Sequence, residues 1–309
     1  MTYSWNPFSE PDDTGRLIDL MRRMVRWNEG GVGWLHPGDV VWMLYPNLTV
    51  KPEKSVRIVS DGSGTSLALV EMTPPSTFLV HFPGDVDDPE AVLRFAIRQA
   101  EAELQTQFDV TDDAPGAYDT EALSVQPWAG PILRDMGYAP ANEADFRVNG
   151  QPLDRDLPAP ELRNGATVRA VRDEPDDLKA RVALHCEVWE SAKFSLEGYE
   201  RLRTKPLYRP DLDLVVETAD GELAAYCIVW WDPVTKTGEF EPVGTSERFR
   251  RQGFGKAVVL EGLRRLKDLG AEYAMVICSL GPTYEPSRFL YTSAGFEPVF
   301  RYEVWKKPV

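Results

Sequence analysis

The sequence predicts an α/β (α+β) chain of two tandem domains, each a sheet flanked by helices. Three observations carry this. The length of 309 residues suits about two domains. The second half reads strand, cationic glycine loop, helix, strand, short helix. The first half repeats that order in faded form, and a proline-rich stretch separates the two.

The second half is expected to begin near Ala166, with a strand over 167–171. Residues 176–191 read as a helix, with Val182, Cys186 and Trp189 on one face. A hairpin follows, its strands over 212–217 and 222–230 and its turn at Ala219-Asp220-Gly221. Residues 238–245 read as the next strand and 257–269 as a helix. Pro242 cannot donate to a strand ladder, so it marks a bulge or an edge within the first of these. A bulge there would splay this strand from the next one, which begins at Tyr273.

Between that strand and helix lies Arg250-Arg251-Gln252-Gly253-Phe254-Gly255-Lys256. From Glu247 to Lys256 the charge is +3, in a chain whose formal net charge is −15. Glycines let backbone approach an anion closely. The first N–H groups of the following helix lack partners inside it and suit a pyrophosphate. The loop is not a P-loop, because no Gly-Lys-Ser/Thr closes it. The G-x-G-x-x-G spacing of a dinucleotide fold is also absent.

Downstream, residues 273–280 read as a buried strand that Gly281-Pro282 ends. Then comes Ser287-Arg288-Phe289-Leu290-Tyr291-Thr292-Ser293-Ala294-Gly295-Phe296. The Arg/Gln-x-x-Gly-x-Gly loop and the Tyr-x-x-x-Gly-Phe segment, in this order, resemble the two signatures of the GNAT superfamily of N-acetyltransferases. The resemblance implies a mixed, mostly antiparallel sheet in each domain and acetyl-CoA as cofactor. It places Arg250, Arg251, Gln252, Gly253, Phe254, Gly255 and Lys256 on the pyrophosphate. It makes the backbone N–H groups near Val243 and Thr245 the polarisers of the acyl carbonyl. Many family members carry Asn seven residues before the tyrosine, where this chain has Tyr284.

The first half echoes the second. Strand-like runs at 55–59 and 66–72 are joined by Asp61-Gly62-Ser63-Gly64. A strand over 77–81 and a helix over 89–107 follow, with Leu93, Ile97, Ala100 and Leu104 at helical spacing. Leu133-Arg134-Asp135-Met136-Gly137-Tyr138 sits like the second tyrosine segment, and Asp145 to Val148 like a final strand. In place of the cationic loop stands Pro83-Gly84-Asp85-Val86-Asp87-Asp88-Pro89-Glu90, with four acids and no base. It would repel a pyrophosphate. Leu133 occupies the position of Tyr291 and cannot donate a proton. The expected division is therefore 1–150, a degenerate GNAT-like domain without a cofactor site; 151–165, a linker; and 166–309, the catalytic domain.

Composition sets limits. A hydrophobic fraction of 43% supports a sizeable core. The acidic balance argues against nucleic acid and anionic membranes as partners. Cys186, Cys227 and Cys278 form no Cys-x-x-Cys, and three scattered histidines suggest no metal site. With no signal-like N-terminus and no apolar run near membrane length, a cytoplasmic protein is expected.

Acyl transfer to an amine also needs a proton acceptor and a proton donor. Tyr291 is the candidate acid, because a phenol stays protonated at neutral pH. Glu241 is the candidate base and Glu239 the runner-up; alternation puts both on one strand face. Only its nearness to the loop favours Glu241. Trp189, Phe194, Tyr199, Trp230 and Trp231 would make the acceptor site aromatic, or each is ordinary core packing. Three functions compete. The first is an acetyl-CoA-dependent N-acetyltransferase acting on a small amine. The second is a tandem-domain acyltransferase resembling mycothiol synthase or aminoacyl-transferring proteins. The third is a non-catalytic acyl-CoA-binding or scaffold protein.

Overall fold

The computed structural model describes residues 2–27, 35–49, 51–108, 116–141, 146–191, 193–281 and 285–309. Tyr284, Pro282 and Asp145 lie outside them. The first half runs β1 (Ser4–Pro7), α1 (Asp12–Trp27), α2 (Pro37–Leu44), α3 (Pro52–Ser55), β2 (Val56–Ser60), β3 (Ser66–Thr73), β4 (Thr77–His81), α4 (Pro89–Phe108), β5 (Ala117–Leu123), α5 (Ala129–Asp135), β6 (Ala139–Pro140) and β7 (Phe146–Pro152). The second runs β8 (Thr167–Ala170), α6 (Pro175–Trp189), α7 (Leu196–Arg203), β9 (Asp213–Glu217), β10 (Leu223–Asp232), β11 (Thr237–Thr245), α8 (Phe254–Asp268), β12 (Tyr273–Ser279), α9 (Glu285–Ser293) and β13 (Glu297–Pro308).

The strands join into one sheet in the order β1-β2-β3-β4-β5-β13-β7-β12-β11-β10-β9-β8, with β6 beside β13. Two neighbouring pairs are parallel, β4 with β5 and β11 with β12; the others are antiparallel. The halves exchange strands at the join. β7, the last strand of the first half, pairs with β12 along its whole length, from Tyr273↔Pro152 to Ser279↔Phe146. β13 begins beside β7 at Glu297↔Gly150 and ends beside β5 at Pro308↔Ala117. The sequence echo of two final strands is thus a pair of strands, each embedded against the other half.

Side chains alternate strictly across this sheet. On one face Ile58, Leu69, Val215, Tyr226, Ile228, Trp230 and Met275 pack against α1, α2, α6 and α7, forming a core common to both halves. On the other face α8 and α9 cover Leu214, Val216, Ala225, Cys227, Val229, Trp231 and Phe240. There α4 and α5 cover Val59, Ala68 and Val70 of the first half. β10, Leu-Ala-Ala-Tyr-Cys-Ile-Val-Trp-Trp-Asp, is apolar on both faces because both are covered.

Within the common core, α2 crosses onto the second half's sheet. His36 caps it: Gly38 N–H donates to His36 Nδ1 at 3.0 Å, and His36 N–H donates to Asp39 Oδ2 at 2.7 Å. Val40, Val41 and Leu44 are fully buried, each contributing about 1.5–3 kcal/mol. Gly38 lies directly on Trp230, where an added Cβ would come within 2.3 Å of the indole Cγ. Trp230 cannot yield, because it is fully buried and its indole N–H donates to the Glu241 carbonyl at 2.7 Å. Gly38→Ala should therefore destabilise the chain by about 1–3 kcal/mol in urea unfolding. A variant as stable as the parent would show that α2 does not press on the second half's sheet.

Candidate acyl-transfer site

The site begins at a break in β11. β11 and β12 pair over three residues only, Thr237↔Tyr273, Gly238↔Ala274 and Glu239↔Met275. On its other side the β11 register with β10 shifts between Val229↔Phe240 and Cys227↔Val243. Two residues of β11, Glu241 and Pro242, there stand against one of β10, which is a bulge placed at the proline. Beyond it β11 leaves β12, and among the described residues no pairing bridges the gap. Ser246 N–H donates to the Ala224 carbonyl at 3.0 Å. Alternation turns Gly244 the same way and turns the Thr245 and Val243 N–H groups away from β10, into the gap.

The cationic loop leads from the end of β11 to α8. Arg251 has φ 63° and Gly253 φ 85°. Space around Gly253 is open, so its need for glycine is conformational. Gly255 is different. A Cβ there would meet Thr245 Oγ1 at 2.9 Å, so this glycine seats α8 against β11 and does not serve approach to a ligand. A cleft of about 560 Å³ lies over the helix start, lined by Arg251, Gln252, Gly253, Phe254 and Lys256 on one side and by Arg163 and Asn164 of the 151–165 stretch on the other. Not every loop cation faces it. Arg248 is drawn to Glu222 at 3.0 Å, and the exposed Arg250 leans back toward Glu247 at 3.8 Å. The cleft's cations are Arg251, Lys256 and Arg163, against one acid, Glu161. The cations and the unpaired backbone of the helix start fit a diphosphate. In the first half Asp88 Oδ1 accepts the Ala91 N–H at 3.0 Å, so a carboxylate caps α4.

Glu239 and Glu241 share a face, as alternation requires, and that face meets α2. Glu239 is 1% exposed. Its carboxyl hydrogen-bonds Asp39, and burial next to Asp39 and Glu241 holds its pKa well above the carboxylate range. Glu241 is partly exposed. Burial, then the charge of Asp39, pushes it up to about 8, while a hydrogen bond from Trp42 opposes the shift. Surface arginines take no part. Tyr291 is buried in the opposite core, edge-on to Phe296 at 5.9 Å. Burial and then the charge of Glu241 raise its phenol well above the usual value. The structure thus brings Glu241, the gap and Tyr291 into one electrostatic neighbourhood.

Of the two readings of the five aromatics, core packing holds for three. Trp230 and Trp231 are adjacent on one strand, so they point to opposite faces, and Trp231 packs under α8. Tyr199 is fully buried, its hydroxyl donating to Asp213 Oδ2 at 2.6 Å beneath the buried Arg181. Those three are core. Trp189 and Phe194 do gather, with partners the sequence did not reveal. Phe194 lies 4.1 Å from the His185 ring, and Trp42 lies 5.7 Å from His185 and 5.8 Å from Phe194. Trp189 indole N–H donates to Tyr226 Oη at 2.7 Å, and Tyr226 Oη is hydrogen-bonded to His185 Nδ1 at 2.8 Å. Burial and Arg181 lower His185 to about 3, so its ring is neutral. His36, Asp39 and Trp42 also escaped notice. Pro37-Gly38 marks a helix start, but nothing local tells which half that helix faces.

Known proteins share this geometry in part. The profile of the Acetyltransferase (GNAT) family matches residues 179–296. Residues 179–296 are thus similar to the GNAT family, as the two sequence signatures imply. The fold of the chain follows that of a GCN5-related N-acetyltransferase from Sphaerobacter thermophilus, with TM-score 0.66 and 17% identity over 99% of this chain and 95% of that one. It also follows a tandem GNAT protein from the clavulanic acid biosynthesis pathway, with TM-score 0.67 and 13% identity over 99% and 98%. Among curated relatives, a mycothiol acetyltransferase of Thermobispora bispora is 29% identical over 47% of this chain and 51% of its own length. One of Thermomonospora curvata is 28% identical over 55% and 59%. The chain spans about half the length of those curated relatives.

Proposed function

We propose that the protein is an acetyl-CoA-dependent N-acetyltransferase acting on a small amine, with one working site, in the second half. The observation that carries the reading is the gap behind Glu241-Pro242, with two free N–H groups in it and a cationic helix start at its mouth. On this reading residues 1–150 form a domain without a cofactor site, 151–165 a linker and 166–309 the catalytic domain. Arg251, Lys256 and the backbone of Gln252 and Gly253 hold the diphosphate of the cofactor, and Phe254 and Gly255 seat the helix behind them. Acetyl-CoA, when bound, supplies an activated acyl thioester.

The chain's own groups then divide the work. Val243 and Thr245 N–H groups are fixed donors for an oxygen that gains charge. Glu241 accepts a proton from an ammonium group, directly or through water, and its position near pH 8 suits that exchange at neutral pH. Tyr291 keeps its proton throughout the neutral range and is the donor for a leaving sulfur. A second reading, a mycothiol acetyltransferase, has the support of the relatives so named. Among the described residues no helix is long and apolar enough to cross a membrane, and the three cysteines are free. We take the setting to be cytoplasmic.

Two experiments test this. Calorimetric titration with CoA should give one site per chain. Arg251→Ala should weaken it by about 1.5–3 kcal/mol, the scale of a charged hydrogen bond, and Arg250→Ala by much less. Equal losses, or none, would mean that the cleft does not hold the diphosphate. In an amine screen with thiol detection, Tyr291→Phe should lower kcat about 10²–10⁴-fold with CoA affinity kept. Parental turnover in that variant would make Tyr291 a packing residue.

A further inference from the structure

We propose that Asp39, from the first half, is a positioning residue of the second half's site: with Glu239 it holds one proton across the contact between α2 and β11, and this pair sets the charge state of Glu241. The proposal rests on the reading of Glu241 as the base.

The hydrogen bonds around His36 lead to it. His36 Nε2 lies 3.1 Å from the Thr237 carbonyl, an acceptor only, so this nitrogen carries the ring proton. His36 Nδ1 accepts from Gly38 N–H and therefore carries none. The ring is neutral, with both nitrogens in use. Its 3.9 Å approach to Glu239 Oε2 is then neither an ion pair nor a donated bond. Glu239 Oε2 is fully buried and has no hydrogen-bond partner among the described residues. Among the described residues no cation acts on Glu239, and His81 from β4 acts on Asp39. Arg22, the cation acting on His36, is spent on Asp232 at 2.7 and 3.0 Å and on Asp19 at 3.0 Å.

Asp39 is the group left facing Glu239. One of its oxygens already accepts the His36 N–H. Two carboxylates meet in a hydrogen bond only when one of them holds a proton, and two ionised carboxylates buried without a cation repel. The pair therefore shares one proton, donated from Glu239 toward Asp39. Other charged groups act on it from every side. Glu71 and His81 act on Asp39 from β3 and β4, and Glu241 acts on Glu239 along β11. The remaining charge of the pair then bears on Glu241, which also meets Trp42 and acts on Tyr291. Glu239 is thus a proton holder, and Glu241, the more exposed of the two, is free to exchange.

The sign for stability follows. These carboxyls keep protons in the fold that the unfolded chain has lost above about pH 4.5. Stability is therefore full at low pH and declines as pH rises through the folded values. His36 and His185, lowered by burial to about 4 and about 3, act in the opposite direction, and only below about pH 6.5. Between about pH 7 and 7.5 the carboxyls dominate the slope; above that the thiols of Cys186 and Cys227, raised by burial, also release protons on unfolding.

The test is urea unfolding of the full chain across that window, with the slope of stability against pH read as protons released. The parent should release between about one and two protons, and Asp39→Asn fewer than about one. Glu239→Gln, which puts a fixed N–H donor where the proton sat, should lower the slope in the same way and decides the matter if Asp39→Asn does not fold. A slope equal to the parent's in a folded variant overturns the shared proton. This readout needs no acceptor, so it stands apart from the catalytic reading. Once a turned-over amine is found, the acid limb of kcat/KM should move down by about one pH unit in Asp39→Asn. A limb that stays in place while kcat falls would make Asp39 structural and overturn its positioning role.

Discussion

The site depends on one backbone constraint, the bulge at Glu241-Pro242. A proline has no N–H to give to a ladder, so β11 gains a residue against β10 and leaves β12 after three pairs. Every other feature takes its place from that departure. The Val243 and Thr245 N–H groups turn into open space rather than toward a neighbouring strand. α8 starts at the mouth of the gap, held close to β11 because residue 255 has no side chain. Glu241 sits on the bulge itself, with Phe240 anchored beneath α8 and Trp230 bonded to the Glu241 carbonyl. A continuous ladder here would leave neither a gap nor a partly exposed acid beside it.

The second organising feature is the join between halves. β7 and β13 cross over, and a single core under α1, α2, α6 and α7 serves both sides of the molecule. The first half keeps the short parallel β4–β5 contact, at Thr77↔Asp119, that matches β11–β12. Its helix start is closed by Asp88, while its own α2 reaches over to the working strand. On the proposed reading the first half has given up cofactor binding and become one wall of its neighbour's site.

Much of this was legible in the sequence. The order of elements in the second half, the loop and the Tyr-x-x-x-Gly-Phe segment are local patterns, and local patterns survive without knowledge of neighbours. The bulge was legible too, because proline carries its constraint with it. Period-2 alternation correctly put Glu239 and Glu241 on one face, and the same rule would have separated Trp230 from Trp231 had it been applied to them. What could not be read was long-range. The strand exchange pairs residues such as Phe146 and Ser279, and the α2 contact joins Asp39 to Glu239; no spacing encodes either. Nor does the charge count of the loop tell that Arg248 lies against Glu222 and Arg250 toward Glu247.

The central claim is that the cofactor engages the second half alone, at the helix start behind the bulge. Hydrogen–deuterium exchange with and without acetyl-CoA tests it most directly. The account predicts that protection appears at residues 243–260 and 158–164, and that residues 83–92 exchange as before. Protection at 83–92, or none at 250–256, would contradict it.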